Sequence, residues 1–449
     1  MTEFRDPSGK AGPSTWELGS YPQGRADYPV GGVSWYEAAA YAEFAGKSLP
    51  TVHQWLRAAG VGMGTFFQVI ESSNFSGKGP AAVESYRGLG PFGTYDMAGN
   101  VREWCWNPAL GRRFSLGGGC SDPPYQLVFP SAFDPFLRGA TNGFRCARNA
   151  SPLAMALTGE VTFVLRDRRR DEPADDESYR IYQNLHSYDK TDLKAAVESS
   201  EDTAPYWRRE KITFEAAYGS ERVIAYLYLP KNAVPPYQVV AFFPGSTALV
   251  APTADAPGVF VVPAEHVVRS GRALILPVYK GMLERGPGTY YHWFGQSNLW
   301  RDINLQWSKD LGRSIDYLET RGDIQSRKLA YLGFSLGAAM GPHLMAVEPR
   351  FKAGILLLGG SFEKVSPEVD GWNFAPRVKI PVLMLNGRDD FFFPVDASQL
   401  PLFRLLGTPE KDKKHVLYDG THSVYTRLDL AKDMLEWLDR YLGPVDLRR

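Results

Sequence analysis

Ser335 has the neighbours that a serine nucleophile requires. It lies in the segment YLGFSLGAAMG (331–341), with a glycine two residues before it and another two residues after it. Glycines at this spacing remove the side chains that would collide where a strand turns sharply into a helix, and the turn lifts the hydroxyl above the end of a sheet. The alternative is a small residue in a tight corner, because this spacing also arises by chance.

A serine nucleophile also needs a base, and that base needs an orienting acid. Both candidates follow Ser335 in the order acid, then histidine. Asp390 completes a Gly-x-x-Asp turn after the apolar segment IPVLMLNG, with Asp389 as the alternative acid. His422 lies in the loop DGTHSV after the segment KKHVLY, whereas His415 lies inside that segment. The pattern therefore predicts a catalytic triad of Ser335, Asp390 and His422.

Two backbone N–H groups are expected to form an oxyanion hole. One belongs to Leu336, the residue after the nucleophile. The segment FFPGSTA, after an earlier predicted strand, offers the N–H of Ser246 as the second donor, with Thr247 as the next candidate. The alternative interpretation of this segment is an ordinary glycine turn.

An aromatic segment precedes the serine turn in the chain. It reads MLERGPGTYYHWFGQSNLW (282–300), and its rings are suited either to lining an acyl pocket or to packing the following helix. The predicted pocket residues are Tyr290, Trp293 and Phe294. His292 is not predicted to bind a metal, because no second ligand stands at suitable spacing.

The elements that must position these residues follow a regular alternation from about residue 210. Apolar segments such as YQVVAFFPG, RALILPVYK, KLAYLGF and FKAGILLLGG alternate with amphipathic stretches such as AKDMLEWLDRYL, which favours an α/β fold with a mostly parallel sheet covered on both faces. Residues 206–449 are predicted to form this catalytic domain. The charge run LRDRRRDEPADDESYR (165–180) predicts a solvated linker within 151–205.

Composition limits the partners of this 449-residue chain. Its 50 basic and 50 acidic side chains balance, so no broad field favours nucleic acid or an anionic membrane, and a small neutral substrate is expected. No apolar run approaches the roughly 18 residues that span a bilayer. The three cysteines (105, 120 and 146) argue against a disulfide scaffold, so we expect a cytoplasmic location.

The C-terminal half resembles the α/β-hydrolases of the esterase and dienelactone-hydrolase-like kind, through GFSLG, NGRDDFFFP and DGTHSV. The resemblance implies that Ser335 attacks an ester carbonyl, His422 acts as base and then acid, and Asp390 orients the imidazole. Dienelactone hydrolases commonly use cysteine as nucleophile. The serine here favours a serine carboxylesterase that acts on small or medium esters and needs no cofactor. Alternatives are a peptidase or amidase on the same triad, or a binding module with an ancillary hydrolase.

Residues 1–150, with a helix predicted at 33–46, resemble part of the formylglycine-generating-enzyme (sulfatase-modifying factor) domain, which has a C-type-lectin-like α+β fold. The matching segments are YPVGGVSWYEAAAYAEFAGKSLPT, GPFGTYDMAGNVREW, LGGG and NGFRCAR. The usual opening strands of that domain are expected to be missing. In longer bacterial relatives a serine/threonine kinase domain precedes this module and a hydrolase follows it. A partial domain would leave apolar surface for self-association or for packing on the hydrolase.

Metal binding in this module is expected to differ from that of the oxidases it resembles. Those enzymes bind copper through two cysteines before the GFRCA motif, and residues 121–145 contain none. A structural calcium is implied by the resemblance in the DMAGNVREW loop, since calcium takes carboxylate and carbonyl oxygens. Its ligands would be Asp96, Gly99, Val101 and Glu103.

The missing thiols predict that the chain does not form formylglycine. A Cys-x-Pro-x-Arg peptide incubated with the purified chain, copper, oxygen and reductant should keep its cysteine, because a soft-metal site needs thiolates or histidines. Mass spectrometry of the peptide measures the conversion. Turnover above a blank containing only the metal would contradict this prediction.

Overall fold

The computed structural model of the chain divides into two compact units, residues 1–164 and residues 165–449. The structure describes residues 12–60, 69, 72–75, 78–109, 111–122, 127, 131–161, 168–249, 251–256, 258–286, 298–361, 365–390, 392–422 and 424–447. Unit 1 and unit 2 each have a β-sheet of their own.

Unit 1 is an α+β domain with a small sheet. Its strands are β1 (Arg102–Ala109), β2 (Arg112–Leu116), β3 (Ser131–Phe133) and β4 (Asn142–Gly143), in the order β3-β2-β1-β4. Its described helices are α1 (Trp35–Phe44), α2 (Val52–Ala59) and α3 (Met155–Thr158). Helix α1 confirms the helix predicted at 33–46.

Local sequence determines where the two longer helices of unit 1 begin. Ser34 and Glu37 form a reciprocal capping box at the start of α1, and Thr51 and Gln54 form another at the start of α2. Each box satisfies backbone N–H groups that have no acceptor within the helix. The first residues of both helices are therefore determined by local interactions and not by tertiary contacts.

Two buried tryptophans connect α1 to β1. The Trp35 indole N–H donates to the Cys105 carbonyl at 2.8 Å, and the Trp104 indole N–H donates to the Val33 carbonyl at 2.9 Å. Pairing the polar atom lets the large ring be buried without an unsatisfied donor. The GVSWYEAAAYAEF and VREWCW segments thus meet in the core of unit 1.

Unit 2 alternates strands with helices, as predicted. Its strands are β5 (Ala196–Glu201), β6 (Trp207–Glu215), β7 (Arg222–Pro230), β8 (Tyr237–Phe243), β9 (Ala273–Val278), β10 (Ile324–Phe334), β11 (Ala353–Leu357), β12 (Val382–Gly387) and β13 (Lys413–Tyr418). Its described helices are α4 (Asp176–Leu185), α5 (Val262–Arg269), α6 (Asn298–Glu319), α7 (Leu336–Val347), α8 (Gly371–Phe374), α9 (Leu400–Leu405) and α10 (Leu428–Leu442). Within the described residues, none of the helices combines the length and apolarity needed to cross a membrane.

The nine strands form one mixed sheet in the order β13-β12-β11-β10-β8-β9-β7-β6-β5. The strands from β8 to β13 pair in parallel, whereas β5, β6 and β7 are antiparallel to their neighbours at one edge. The central strands β8, β11 and β12 are buried almost along their whole length because helices cover both faces. The predicted mostly parallel α/β sheet is confirmed, and the carboxyl ends of its strands share one edge.

The linker predicted for residues 151–205 is wrong for its second part. Residues from 165 onward belong to unit 2, where α4 and β5 lie within the predicted linker. Arg168, in the middle of the charge run, is buried and forms two hydrogen bonds of 2.8 Å to the carboxylate of Asp370. The sequence predicts that this charge run is solvated, but Arg168 within it is held by an aspartate that lies 202 residues further along the chain.

Two buried histidines pack against each other in unit 2. The ring centroids of His343, in α7, and His186, just after α4, are 5.5 Å apart. His186 Nδ1 is 2.8 Å from the Ser308 hydroxyl, while neither ring nitrogen of His343 has a hydrogen-bond partner among the described residues. Burial lowers the pKa of His186 to about 4 and holds the pKa of His343 well below its usual range. Both rings are therefore neutral in the folded protein.

The buried pair of His186 and His343 predicts that the folded protein loses stability in acid. As pH falls below 6.5, the ordinary value, the unfolded chain takes up protons that the folded His186 resists until pH about 4. The free energy of unfolding should therefore decrease across this range, by at most about 1.4 kcal/mol per pH unit for each histidine. His343→Leu should flatten the slope, because it removes one of the two groups whose pKa is lowered by burial in the folded protein. Urea unfolding of the full chain across this range measures the slopes, and identical slopes for wild type and His343→Leu would exclude this role.

Candidate active site

Ser335 lies at the tip of the sharp turn between β10 and α7. Its backbone is left-handed, with φ 51° and ψ −106°, which residues other than glycine rarely adopt. A Cβ at Gly333 would collide with the Gly337 carbonyl, and a Cβ at Gly337 would collide with the Phe243 carbonyl. The Ser335 N–H donates to the Leu357 carbonyl at 2.8 Å. The two glycines are thus required for the strand, the helix and the neighbouring strand β8 to come this close.

Three side chains form one line of hydrogen bonds above the carboxyl ends of the parallel strands. Ser335 Oγ is 2.8 Å from His422 Nε2, and His422 Nδ1 is 2.8 Å from Asp390 Oδ2. Since a carboxylate oxygen accepts, Nδ1 is the donor, and Nε2 is left to accept the serine hydroxyl. The structure thus brings together the three residues that the sequence predicts, in the geometry that lets an imidazole take a proton from serine.

The turn after β12 distinguishes Asp390 from Asp389. Asp390 is buried, and its Oδ1 accepts the N–H groups of Phe392 and Phe393 at 2.9 and 3.2 Å. With the bond from His422, this carboxylate accepts three hydrogen bonds. Asp389 instead uses its backbone N–H to bond the Gly420 carbonyl at 2.9 Å. The side chain that reaches the imidazole is therefore that of Asp390.

His415 has a different environment from His422. It lies within β13, and its Nε2 is 3.1 Å from the Gln399 side-chain oxygen. Burial lowers its pKa to about 4, so the ring stays neutral. Its ring packs near Phe403 at a centroid separation of 5.6 Å. His415 is a packed strand residue, whereas His422 lies in the following loop, where it reaches Ser335.

Aromatic rings beside the imidazole were not predicted from the sequence. The ring centroids of Phe392 and Phe393 are 4.7 and 6.0 Å from that of His422. Phe334, the residue before the serine, packs edge-on against Tyr425 at a centroid separation of 5.1 Å. The segment RDDFFFP carried the signal, but aromatics after a turn are equally typical of ordinary core packing. These rings restrict the positions that the histidine can adopt.

The predicted oxyanion donors lie next to the elbow. Leu336 is the first residue of α7, so its N–H has no acceptor within the helix. Ser246 is buried and begins a short 3-10 turn, with Pro244 and Gly245 between it and the end of β8. A Cβ at Gly245 would stand 3.5 Å from the Ser335 Cβ, and an N–H of α7 donates to the Pro244 carbonyl at 3.2 Å. The β8 loop therefore packs directly on the elbow.

The aromatic segment is described only in part. Tyr290, Trp293 and Phe294, predicted to line an acyl pocket, lie outside the described residues, as does His292. Trp300, at the described end of the segment, is buried in α6 and packs against Trp307 at 5.5 Å. Trp300 therefore fits the second interpretation of the segment, in which its aromatic rings pack the following helix.

The predicted calcium ligands in unit 1 are Asp96, Gly99, Val101 and Glu103. Both carboxylate oxygens of Glu103 accept from Arg145, at 2.5 and 2.6 Å, and one also accepts the Trp55 indole N–H at 2.7 Å. Asp96 Oδ2 accepts the Glu84 N–H at 2.8 Å, and burial raises the pKa of Asp96. Because the guanidinium already neutralises Glu103 and occupies its oxygens, this arrangement does not fit a calcium cage. Within the described ranges, no group of three or more His, Cys, Asp or Glu residues is placed to hold a metal.

The fold and the site define unit 2 as an α/β-hydrolase domain with a serine at the nucleophile elbow. Residues 292–438 match the family described as phospholipase/carboxylesterase, and residues 5–150 match the sulfatase-modifying factor enzyme 1-like domain. The chain thus joins a formylglycine-generating-enzyme-like region to an α/β-hydrolase domain that is similar to phospholipases and carboxylesterases.

Curated relatives match a limited part of the chain. The serine/threonine-protein kinase pkn1 of Chlamydia pneumoniae is 37% identical over an alignment of 154 residues, and the match covers 28% of this chain and 25% of the kinase. The formylglycine-generating enzyme of Streptomyces coelicolor is 31% identical over 172 residues, covering 28% of this chain and 54% of that enzyme. The chain therefore spans about a quarter of the length of the chlamydial kinase that it matches.

Two esterases are among the solved structures to which the chain is similar. A PEG-bound cold-adapted esterase from an Arctic intertidal metagenomic library is 21% identical, with a TM-score of 0.43, and the match covers 55% of this chain and 99% of the esterase. An acetyl xylan esterase from Paenibacillus sp. R4 is 15% identical, with a TM-score of 0.45, over 62% of this chain and 100% of that one.

The hydrogen bonds of the acidic turn predict unequal roles for its two aspartates. Asp390→Asn should lower kcat for a nitrophenyl ester by about 10⁴, because an amide favours the wrong imidazole tautomer. Asp389→Asn, which leaves the backbone bond to Gly420 intact, should cost far less and is the matched control. Circular dichroism verifies that both variants fold. Equal losses, or a larger loss for Asp389→Asn, would move the orienting role away from Asp390.

Proposed function

We propose that the chain is a serine carboxylesterase that hydrolyses small or medium carboxylic esters through an acyl-enzyme on Ser335. The observation that carries the proposal is the hydrogen-bonded line from Ser335 through His422 to Asp390, at an elbow above the parallel strands. The absence of net charge on the chain also suits a neutral ester.

In the first half of the reaction, Ser335 Oγ attacks the ester carbonyl carbon while its proton moves to His422 Nε2. Asp390, buried and hydrogen-bonded to Nδ1, stabilises the imidazolium that forms. His422 then gives the proton to the leaving alkoxide, so the alcohol departs and the acyl group remains on the serine. Water, activated by the same histidine, hydrolyses this acyl-enzyme and restores the serine.

The developing negative charge on the carbonyl oxygen needs preorganised donors. We assign this role to the N–H groups of Leu336 and Ser246, since the β8 loop packs on the elbow and Leu336 begins α7. Each such donor contributes on the order of 3–4 kcal/mol to lowering the barrier. Tyr290, Trp293 and Phe294 are proposed to form the acyl side of the pocket.

Unit 1 is proposed to serve in structure or recognition, including self-association, and not as an oxidase. Its three cysteines form no disulfide with each other in the structure, and Cys105 and Cys120 are buried. Burial raises the pKa of the Cys105 thiol well above its usual range, which disfavours the thiolate that would bind a soft metal. Unpaired thiols also suit the reducing cytoplasm proposed as the location.

A fluorophosphonate probe tests the nucleophile directly. The wild-type chain should become labelled and should hydrolyse nitrophenyl esters of short chain length, while Ser335→Ala should lose the label and at least about 10⁴ in kcat. Peptide mapping of the labelled chain by mass spectrometry should identify the tip of the elbow as the modified site.

Ser314→Ala is the matched control for the probe experiment. Ser314 is also buried, but its hydroxyl donates to the Asp310 carbonyl within α6, so its loss should change neither labelling nor turnover. Esterase activity retained by a folded Ser335→Ala chain would overturn the mechanism. Aminoacyl amides tested beside the esters would reveal a peptidase if they were the faster substrates.

A further inference from the structure

A cavity in unit 2 lies apart from the residues of the candidate active site. Its volume is about 380 Å³, and it is bounded by residues at the edge of the sheet and by the loop that runs from the β8 turn to α5. Its lining includes neither the triad nor the proposed oxyanion donors. The volume lies at the small end of the range of roughly 300–1,000 Å³ typical of ligand pockets.

Three aromatic rings form one wall of this cavity. Phe260 stacks on Tyr228 with a centroid separation of 4.3 Å and an interplanar angle of 11°. Trp207 stands edge-on to both, 5.7 Å from Phe260 and 6.1 Å from Tyr228. Tyr228 is buried, whereas Trp207 and Phe260 are only partly buried and keep some surface towards solvent. The wall is therefore a rigid, partly open apolar surface.

Next to the aromatic wall, the rim of the cavity is polar and carries hydrogen-bonding groups that are already oriented. Arg209 donates to Glu201 at 2.7 Å and forms two hydrogen bonds to Asp255. The side chains of Glu201 and Asp255 remain 53% and 69% exposed, so their oxygens keep free acceptor positions. Donors and acceptors thus stand side by side, next to the aromatic wall.

The charged groups of the rim are one guanidinium and two carboxylates, so the rim carries an excess of negative charge. An anion would be repelled by Glu201 and Asp255, which are more exposed than Arg209. The ion pairs with Arg209 offset part of the carboxylate charge, which weakens the attraction for a cation. A neutral ligand with several hydroxyl groups meets no such repulsion, and its hydroxyls can donate to the exposed carboxylate oxygens.

We propose that this cavity binds a neutral carbohydrate, with one or two pyranose rings placed against Trp207 and Phe260. The axial C–H groups of a pyranose give it an apolar face that suits an aromatic wall, while its hydroxyls match the rim formed by Arg209 and the two carboxylates. The site is a binding site and does not depend on ester hydrolysis.

The position of the cavity connects it to the rest of unit 2. Gly258, one of its lining residues, packs against the side chain of Thr247, where a Cβ on the glycine would lie 3.5 Å away. Thr247 directly follows Ser246, the proposed oxyanion donor. A bound sugar would therefore rest on the same loop that continues from the oxyanion turn.

The test is titration of the full chain with neutral disaccharides, cellobiose and xylobiose, followed by calorimetry and by tryptophan fluorescence. At least one of them should bind with a millimolar dissociation constant. Trp207→Ala should weaken that binding by about tenfold or more, because the aromatic contact is lost. Tyr441→Ala is the control, since this partly buried ring packs against Trp437 in α10 and does not line the cavity.

A second variant and a small substrate separate binding from folding. Asp255→Ala, at an exposed position, should also weaken sugar binding, and all three variants should hydrolyse a short nitrophenyl ester as the wild type does. Choline chloride and sodium glucuronate are the charged probes and should not compete with the disaccharide. Failure of both disaccharides to bind, equal binding by wild type and Trp207→Ala, or tighter binding of choline or glucuronate would each overturn the proposal.

Discussion

The left-handed backbone of Ser335 is the constraint on which the arrangement of unit 2 depends. This conformation is unfavourable for a residue with a side chain, and it persists because β10 and α7 are held on both sides by packed neighbours. Gly333 and Gly337 remove the two Cβ atoms that would prevent the approach. The free-energy cost of this backbone conformation is small compared with the stabilisation from burying the central strands. The sharp turn raises the Ser335 hydroxyl above the sheet.

The parallel topology then explains why distant residues converge on that hydroxyl. Strands β10, β12 and β13 run in the same direction, so the turns that follow them share one edge of the sheet. Asp390 and His422 each lie a few residues beyond such an end, and each is oriented by its own turn. The buried carboxylate of Asp390 accepts three hydrogen bonds and thereby holds the His422 imidazole in position. The imidazole in turn orients the hydroxyl of Ser335.

The fold of unit 1 is supported by local capping and by buried tryptophans. Its capping boxes and its paired tryptophans depend on backbone and packing alone, so they need neither thiols nor a metal. At Glu103 the charge that a calcium would neutralise is instead neutralised by Arg145. A sequence motif for a metal loop is thus compatible with a loop held by an ion pair, since both place positive charge on the same carboxylate.

The sequence by itself determined the order of elements, the elbow and the candidate acid and base, because periodicity, glycine spacing and position after apolar strands are local properties. The sequence favoured Asp390 over Asp389 and His422 over His415 but left both alternatives open. Only the tertiary structure shows which side chain of each pair is directed towards Ser335, since that depends on how each turn is oriented above the sheet. Contacts between residues far apart in the chain could not be predicted from the sequence either. The charge run predicted a solvated Arg168, because its partner Asp370 lies 202 residues further along the chain and a local sequence pattern carries no information about such a contact.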